Sequence, residues 1–406
     1  MHDPARLDSG FSPHGHVFNA EIIMALHFAP EEFAARRDRL MLCMAENKLD
    51  AMLLFSQESM YWLTGYDTFG FCFFQCLVVK QDGSMVLMTR SADLRQARHT
   101  STLEHIVQWT DRENANPAMD LRNLLNDMDL LGARIGVEYQ THGLTAANGR
   151  KLDEQLNSFA KVIDASGMVD RLRLLKSPAE VDYARKAAAL SDVIYDAALE
   201  QMRKNANEAN ILAAMMEANF LGDGDFPANE FIIGSGPDAL LCRYKSGRRQ
   251  MHKNDQLTLE WSGVFRHYHA PMMRTVLTGK TTKRHEELYN AAHEALLAVE
   301  AALTPASTFG DVFEAHAKVL EAHSLTRHRL NACGYSVGAR FTPSWMDPQM
   351  FYAGSAERIE PDMTLFAHMI IMDSETNTAM TLGQTYLTTN GPAESLSKSS
   401  LDLMVI

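Results

Sequence analysis

The hydrophobic rhythm of this 406-residue chain changes near residue 165, and that change restricts its fold more than any other feature. Up to that point short apolar, β-branched runs (AMLLF, CLVV, MVLM, IVQW, RIGVEY) alternate with helix-like stretches such as PAMDLRNLLNDM, the order an α/β sheet domain produces. From Arg171 the pattern becomes one long helix, RLRLLKSPAEVDYARKAAALSDVIYDAALEQM. Pro178 and Glu180 stand near its first turn, where Pro costs no hydrogen bond and an acid meets the positive end of the dipole. Helical spacing recurs in ANILAAMMEANF, HEELYNAAHEALLAVEAAL and FGDVFEAHAKVLEAH, and strand-like runs appear in EFIIG, QLTLEW, RTVLTG, TLFAHMIIM and TAMTLGQTYL. Two cores are therefore expected, an α/β domain over residues 30–165 and an α+β domain over residues 166–406. Residues 1–29 carry Gly, Pro and His with no sustained period and are expected to form an N-terminal arm.

Composition narrows the partners. Apolar residues make up 46% and charged residues 22%, ordinary values for a globular chain. A net charge of -13, with no basic block, argues against nucleic acid or an anionic membrane surface as a partner. No apolar run approaches the roughly 20 residues that span a bilayer. Five cysteines without a CxxC pair, and a start (MHDPARLDSG) without the charged-then-apolar pattern of a signal peptide, predict a cytoplasmic protein with free thiols.

Five segments follow one another in the second half: RLRLLKSPAEVDYARKAA from Arg171, SGPDALL from Ser235, LEWSGVFRHYHAPMMRTV from Leu259, CGYSVG from Cys333 and IEPDMTLF from Ile359. Together they resemble the creatinase/prolidase/aminopeptidase P family (M24, the pita-bread fold). The resemblance implies an α/β N-terminal domain followed by an α+β pita-bread C-terminal domain. It also implies a homodimer in which the N-terminal domain lies near the partner's active site. Trp62, Tyr66, Phe69 and Phe71 would then cover such a site, with ordinary core packing as the competing reading.

Metal-dependent members of that family hold two divalent ions with an Asp, a second Asp eleven residues later, a His and two Glu. At the corresponding positions this chain carries Glu260, Pro271, Tyr335, His368 and either Gly383 or Gln384. Only Glu260 and His368 retain the capacity to coordinate, so no metal and no cofactor are expected. His267 and His269 would share a face of a strand, but a lone His-x-His is more often a hydrogen-bonded or solvated pair.

HYHAPMMRTV, CGYSVGARFTPSW, SMYWLTGYD and FFQCLVV narrow the resemblance to ectoine hydrolases, which implies active-site roles for Glu260, for the pair Tyr268 and His269, and for Tyr335. One departure stands out: relatives carry a His shortly after the SGP turn, where Arg243 puts a permanent cation. In the apolar frame TLEW, burial would raise the pKa of Glu260 and make it a base or nucleophile; the competing reading is a structural pair with Arg243 or Arg274. His269 and His368 are candidates for acid/base work, and Tyr335 and Tyr268 for stabilising a developing oxyanion, with Tyr268 alternatively packed under the sheet. Arg243 and Arg340 are candidate forks for a substrate carboxylate, and Trp62 and Tyr66 candidate substrate contacts.

The resemblance implies a metal-independent hydrolase that opens a C–N bond in a small, carboxylate-bearing cyclic amidine, amide or related compound. A creatinase-like amidinohydrolase or lyase, with Arg243 holding an anionic group, is the first alternative. A catalytically silent binding or subunit-interaction protein is the second.

Overall fold

A computed structural model describes residues 26–203, 207–243 and 247–406, so most of the expected arm over residues 1–29 lies outside the described residues. The chain divides between Asp164 and Ala165 into two units.

In the first unit the short apolar runs form β1 (Ala51–Leu54), β2 (Cys76–Lys80), β3 (Met85–Thr89), β4 (His105–Gln108), β5 (Arg134–Val137) and β6 (Lys161–Asp164), in a sheet ordered β4-β3-β2-β1-β5-β6. β1 pairs antiparallel with β2 and parallel with β5, and all four of its residues are buried. A strand covered on both faces needs no polar alternation, which is why AMLL is uniformly apolar. The helices Pro117–Asp127 and Ala146–Leu156 bury Leu121, Leu125, Leu152 and Leu156 in the same core as Leu53, Phe55, Val78 and Val137.

Trp62 and Tyr66, expected as substrate contacts, lie inside this unit. Both are fully buried, and the Tyr66 hydroxyl donates to Gln75 Oε1 at 3.0 Å. Packing therefore accounts for them, and neither presents a surface to a ligand; Phe69 is the outward member of that aromatic stretch, 81% exposed.

The second unit is built on β7 (Ile232–Ser235), β8 (Asp255–Phe265), β9 (Tyr268–Thr278), β10 (Ala332–Ser336), β11 (Met350–Tyr352), β12 (Thr364–Asp373) and β13 (Thr378–Leu387), ordered β11-β10-β12-β13-β9-β8-β7. Two short strands join it, β14 (Glu394–Ser395) on β13 and β15 (Met404–Val405) on β9. β8 and β9 form one long hairpin in register from Asp255↔Thr278 to Phe265↔Tyr268. Its two-residue turn, Arg266 and His267, has positive φ at both positions (50° and 64°), the geometry that matches strand twist.

Helices cover one face of this sheet. Lys283–Ala302 and Phe309–Ala322 pack Leu288, Leu296, Phe309 and Phe313 against Leu365, Met369, Met380 and Leu382. The helix Pro178–Arg203 docks on the hairpin through Ser191, whose hydroxyl accepts from Gly263 N–H and donates to Ala270 C=O, both at 2.6 Å, while Trp261 Nε1–H donates to Ser191 C=O. A Cβ on Gly263 would come within 2.1 Å of Ala187 O, so only glycine permits this approach. Alternation along the strands then sends Glu260, Tyr335, Phe366, His368 and Gly383 to the face away from Trp261, Ala367 and Leu382.

Candidate active site

On that second face the sheet and its loops line a partly open cavity of about 130 Å³. Its polar lining is Glu260 from β8, Tyr335 from β10, His368 from β12, and Asn229, Cys242, Arg243 and Trp345 from loops; Ile232, Met346, Met350 and Ile370 are among its apolar walls.

Glu260 is 8% exposed, and burial pushes its carboxyl from 4.5 up to about 7, against the opposing effects of Arg243 and of the Tyr335 hydrogen bond. Tyr335 Oη donates to Glu260 Oε1 at 3.4 Å and accepts from Trp345 Nε1–H at 2.9 Å. Burial, then the Glu260 charge, raises the Tyr335 phenol well above its ordinary value, so it stays a neutral donor. His368 lies with its ring 5.6 Å from that of Tyr335. Burial and Arg243 press it down to about 4, and its Nδ1 has no hydrogen-bond partner among the described residues. Cys242 is raised by burial and by Glu260 and is therefore a thiol, not a thiolate. Arg243 is exposed and lies at the edge of a stretch outside the described residues.

Four of the residues expected from sequence thus share one cavity: Glu260, Tyr335, His368 and Arg243. Three others in this unit do not line it. His269 is fully buried, accepts from Ala228 N–H at Nε2 (3.0 Å) and faces Gly338 O with Nδ1 (3.4 Å). Burial lowers its pKa to about 3, so it is a fixed neutral ring and not an acid/base group. Tyr268 projects to the other face and donates to Glu180 Oε1 at 2.6 Å, the structural alternative. Arg340 is engaged with Ser344 C=O and with Asp347 at 3.5 Å. His267 does not pair with His269 toward a metal; its ring stacks on Phe341 at 4.3 Å. Trp345 and Asn229 joined the site unforeseen, because each is held there by contacts across the fold and neither stands in a recognisable spacing.

The register also separates by face the two residues expected near the last ligand position of metal-dependent relatives. His368 pairs directly with Gly383, which shares its face, whereas Gln384 points to the helix side, where its Nε2 donates to Tyr386. Positions 260, 271, 335, 368 and 383 therefore converge, but Pro271 and Gly383 have no donor to offer and Tyr335 is a protonated phenol already committed twice. Among the described residues no group of three or more His, Cys, Asp or Glu is placed to hold a metal ion. A carboxylate-bridged pair of metal ions does not fit this donor set.

The model of metallopeptidase family M24 matches residues 182–390, just over half of the chain. The chain belongs to family M24. The creatinase/prolidase N-terminal domain model matches residues 36–175 of this M24 protein. Ectoine hydrolase from Halomonas elongata is 26% identical over 360 residues, 84% of this chain and 90% of that one. Xaa-Pro dipeptidase from Pyrococcus furiosus is 19% identical, covering 80% and 89%. Among solved structures, prolidase from Thermococcus sibiricus superposes with a TM-score of 0.81 at 15% identity over 92% of this chain and 99% of that one, which shows the shared fold. The M24 protein is thus a hydrolase-family member, with an α/β N-terminal domain and a pita-bread C-terminal domain. No helix among its described residues is long and apolar enough to cross a membrane.

Proposed function

We propose that this M24 protein is a metal-independent hydrolase that opens a C–N bond in a small, carboxylate-bearing ring, a cyclic amidine first of all. The observation that carries this reading is Glu260, a buried carboxyl poised near neutrality on the wall of the cavity. As its carboxylate takes a proton from water, the water oxygen bonds to the amidine carbon. The same proton then passes to the departing nitrogen as the C–N bond breaks, and the proton left on the new hydroxyl moves to the retained nitrogen, leaving an amide and an amine. Arg243 offers a fork for the substrate carboxylate at the exposed side, and the His368 Nδ1 offers a neutral contact within. The volume, about 130 Å³, approaches the ~150 Å³ that accepts a benzene-sized molecule, which favours one small ring over a peptide. The ectoine hydrolase relative supports the same reaction class.

A thermal-shift screen against cyclic amidines, guanidino acids and N-acyl amino acids, followed by a turnover assay, tests this directly. Carboxylate-bearing cyclic amidines are expected to raise Tm and to be opened. Stabilisation by the other classes alone, or by none, contradicts the reading. A second reading, a binding protein without turnover, is favoured by one observation: with His269 withdrawn, Glu260 is the one described cavity residue pushed close to neutral pH. Stabilisation without product in the same screen would select it.

The cytoplasmic location and the homodimer implied by the family resemblance belong to this proposal as well. Light scattering is expected to give twice the chain mass, and a fully active monomer would contradict that expectation.

A further inference from the structure

We propose that Trp345 is a positioning residue of this site, whose indole N–H fixes the direction of the Tyr335 hydroxyl so that its one proton is held toward Glu260. The proposal deepens the reading of Glu260 as the acid/base group and rests on it, yet it has a test of its own that needs no substrate.

An indole N–H donates and never accepts. With Trp345 Nε1 at 2.9 Å, the phenol oxygen of Tyr335 must accept there. Its remaining proton has Glu260 Oε1, at 3.4 Å, as the acceptor. A hydroxyl between a donor-only group and a carboxylate has one orientation that serves both, here with a long contact to Glu260, and that orientation favours the Glu260 anion. Without the indole N–H, the same oxygen could turn to accept a proton from the neutral carboxyl, and the preference for the anion would fall.

Trp345 is itself held from behind. It is 1% exposed, and its backbone N–H donates to Asn229 Oδ1 at 3.1 Å. The chain next to Asn229 is clamped in turn by Ala228 N–H on the Nε2 of His269. Because that nitrogen accepts, the proton of the neutral ring sits on Nδ1, which faces Gly338 O, and the His269 ring lies 6.2 Å from the indole. His269, expected from sequence to move protons, thus supports the loop that carries the anchor of Trp345. The titratable and charged groups that share the cavity with Glu260 are Tyr335, Arg243, His368 and Cys242, and of these Tyr335 is the one in hydrogen-bond reach of its carboxyl and of Trp345.

The test follows the carboxylic-acid C=O band of Glu260 by infrared spectroscopy across pH, assigned by its loss in Glu260→Gln. Trp345→Phe, which keeps a ring but removes the N–H, is expected to move the titration upward by about one pH unit. Tyr335→Phe should do the same, and Trp345→Phe added to Tyr335→Phe should change nothing further. A folded Trp345→Phe protein that titrates as the parent overturns the proposal, and so does an equal upward move in the Tyr335→Phe background, because Trp345 would then act without the hydroxyl. Asn229→Ala keeps the indole but removes the hydrogen bond that anchors the Trp345 backbone and so loosens its hold on Tyr335; it replaces Trp345→Phe if that protein does not fold, with a smaller upward move expected and an unchanged titration overturning the proposal. An upward move in a protein that opens no ring of any class would sustain the positioning role while removing the hydrolase reading.

Discussion

Glu260→Gln is expected to lower kcat on the order of a hundredfold or more while ligand affinity is retained, because the amide keeps the volume but can neither take nor return a proton. The alternative open from sequence, a Glu that merely neutralises a buried cation, predicts something different: loss of roughly 3–5 kcal/mol of stability through an unpaired charge. Neither candidate cation fits that role. Arg243 is exposed, and Arg274, buried, lies opposite Leu259 and Leu382 on the helix side, where it donates to Met273 C=O and Gly383 C=O. The Gln variant should therefore fold at least as well as the parent at neutral pH and above, since burial already disfavours the Glu260 anion there. Steady-state kinetics paired with thermal melts separates the two cases. A folded variant with unchanged turnover would move the search to His368.

The second large effect is on stability against pH. Between pH 6.5 and 4 the protein is expected to lose on the order of several kcal/mol, a large part of a typical ~5–15 kcal/mol total. Three buried histidines are responsible: burial holds His269 and His316 down to about 3 and His368 to about 4, from 6.5. Below pH 6.5 the unfolded chain binds protons that the folded protein refuses, so stability is full above that value and falls as pH drops toward the folded ones. Glu260 works in the opposite direction, holding a proton in the folded state between pH 4.5 and about 7 that the unfolded chain releases. One carboxyl opposes three imidazoles, and each tenfold difference in proton affinity between the folded and unfolded states is worth about 1.4 kcal/mol, so the net slope is a loss on acidification. Urea midpoints measured from pH 7 down to pH 4.5 should fall steadily; a flat or rising series would contradict the buried neutral rings.

The two-domain order was legible because uniformly buried strands such as β1 and long amphipathic helices such as Pro178–Arg203 write themselves into the sequence as apolar runs and 3.6-residue spacing. That Pro271 has no ligand atom to offer was legible for an equally local reason, since its side chain carries no donor whatever surrounds it. The choice between Gly383 and Gln384 was not, because it depends on cross-strand pairing of β12 with β13. His269 and Glu260 do project to the same face of the hairpin. Yet Glu260 pairs with Met273, four residues from His269, which at about 3.3 Å per residue puts the imidazole some ~13 Å along the strand, against Gly338. Trp345 and Asn229 were invisible for the converse reason. They stand in loops after β10 and before β7, and only the closed fold brings the indole to Tyr335. The turn of the β8–β9 hairpin was equally hidden, since Arg266 and His267 adopt positive φ without the Asn or Gly that usually announces it.

Elemental analysis of the purified protein, with turnover measured before and after exhaustive chelation, tests the proposed metal-free reading most directly. Its donor set, one carboxylate and one imidazole facing a proline, a glycine and a protonated phenol, predicts no stoichiometric transition metal and turnover unchanged by the chelator. One or two tightly held divalent ions per chain, whose removal abolishes activity and whose return restores it, would contradict it.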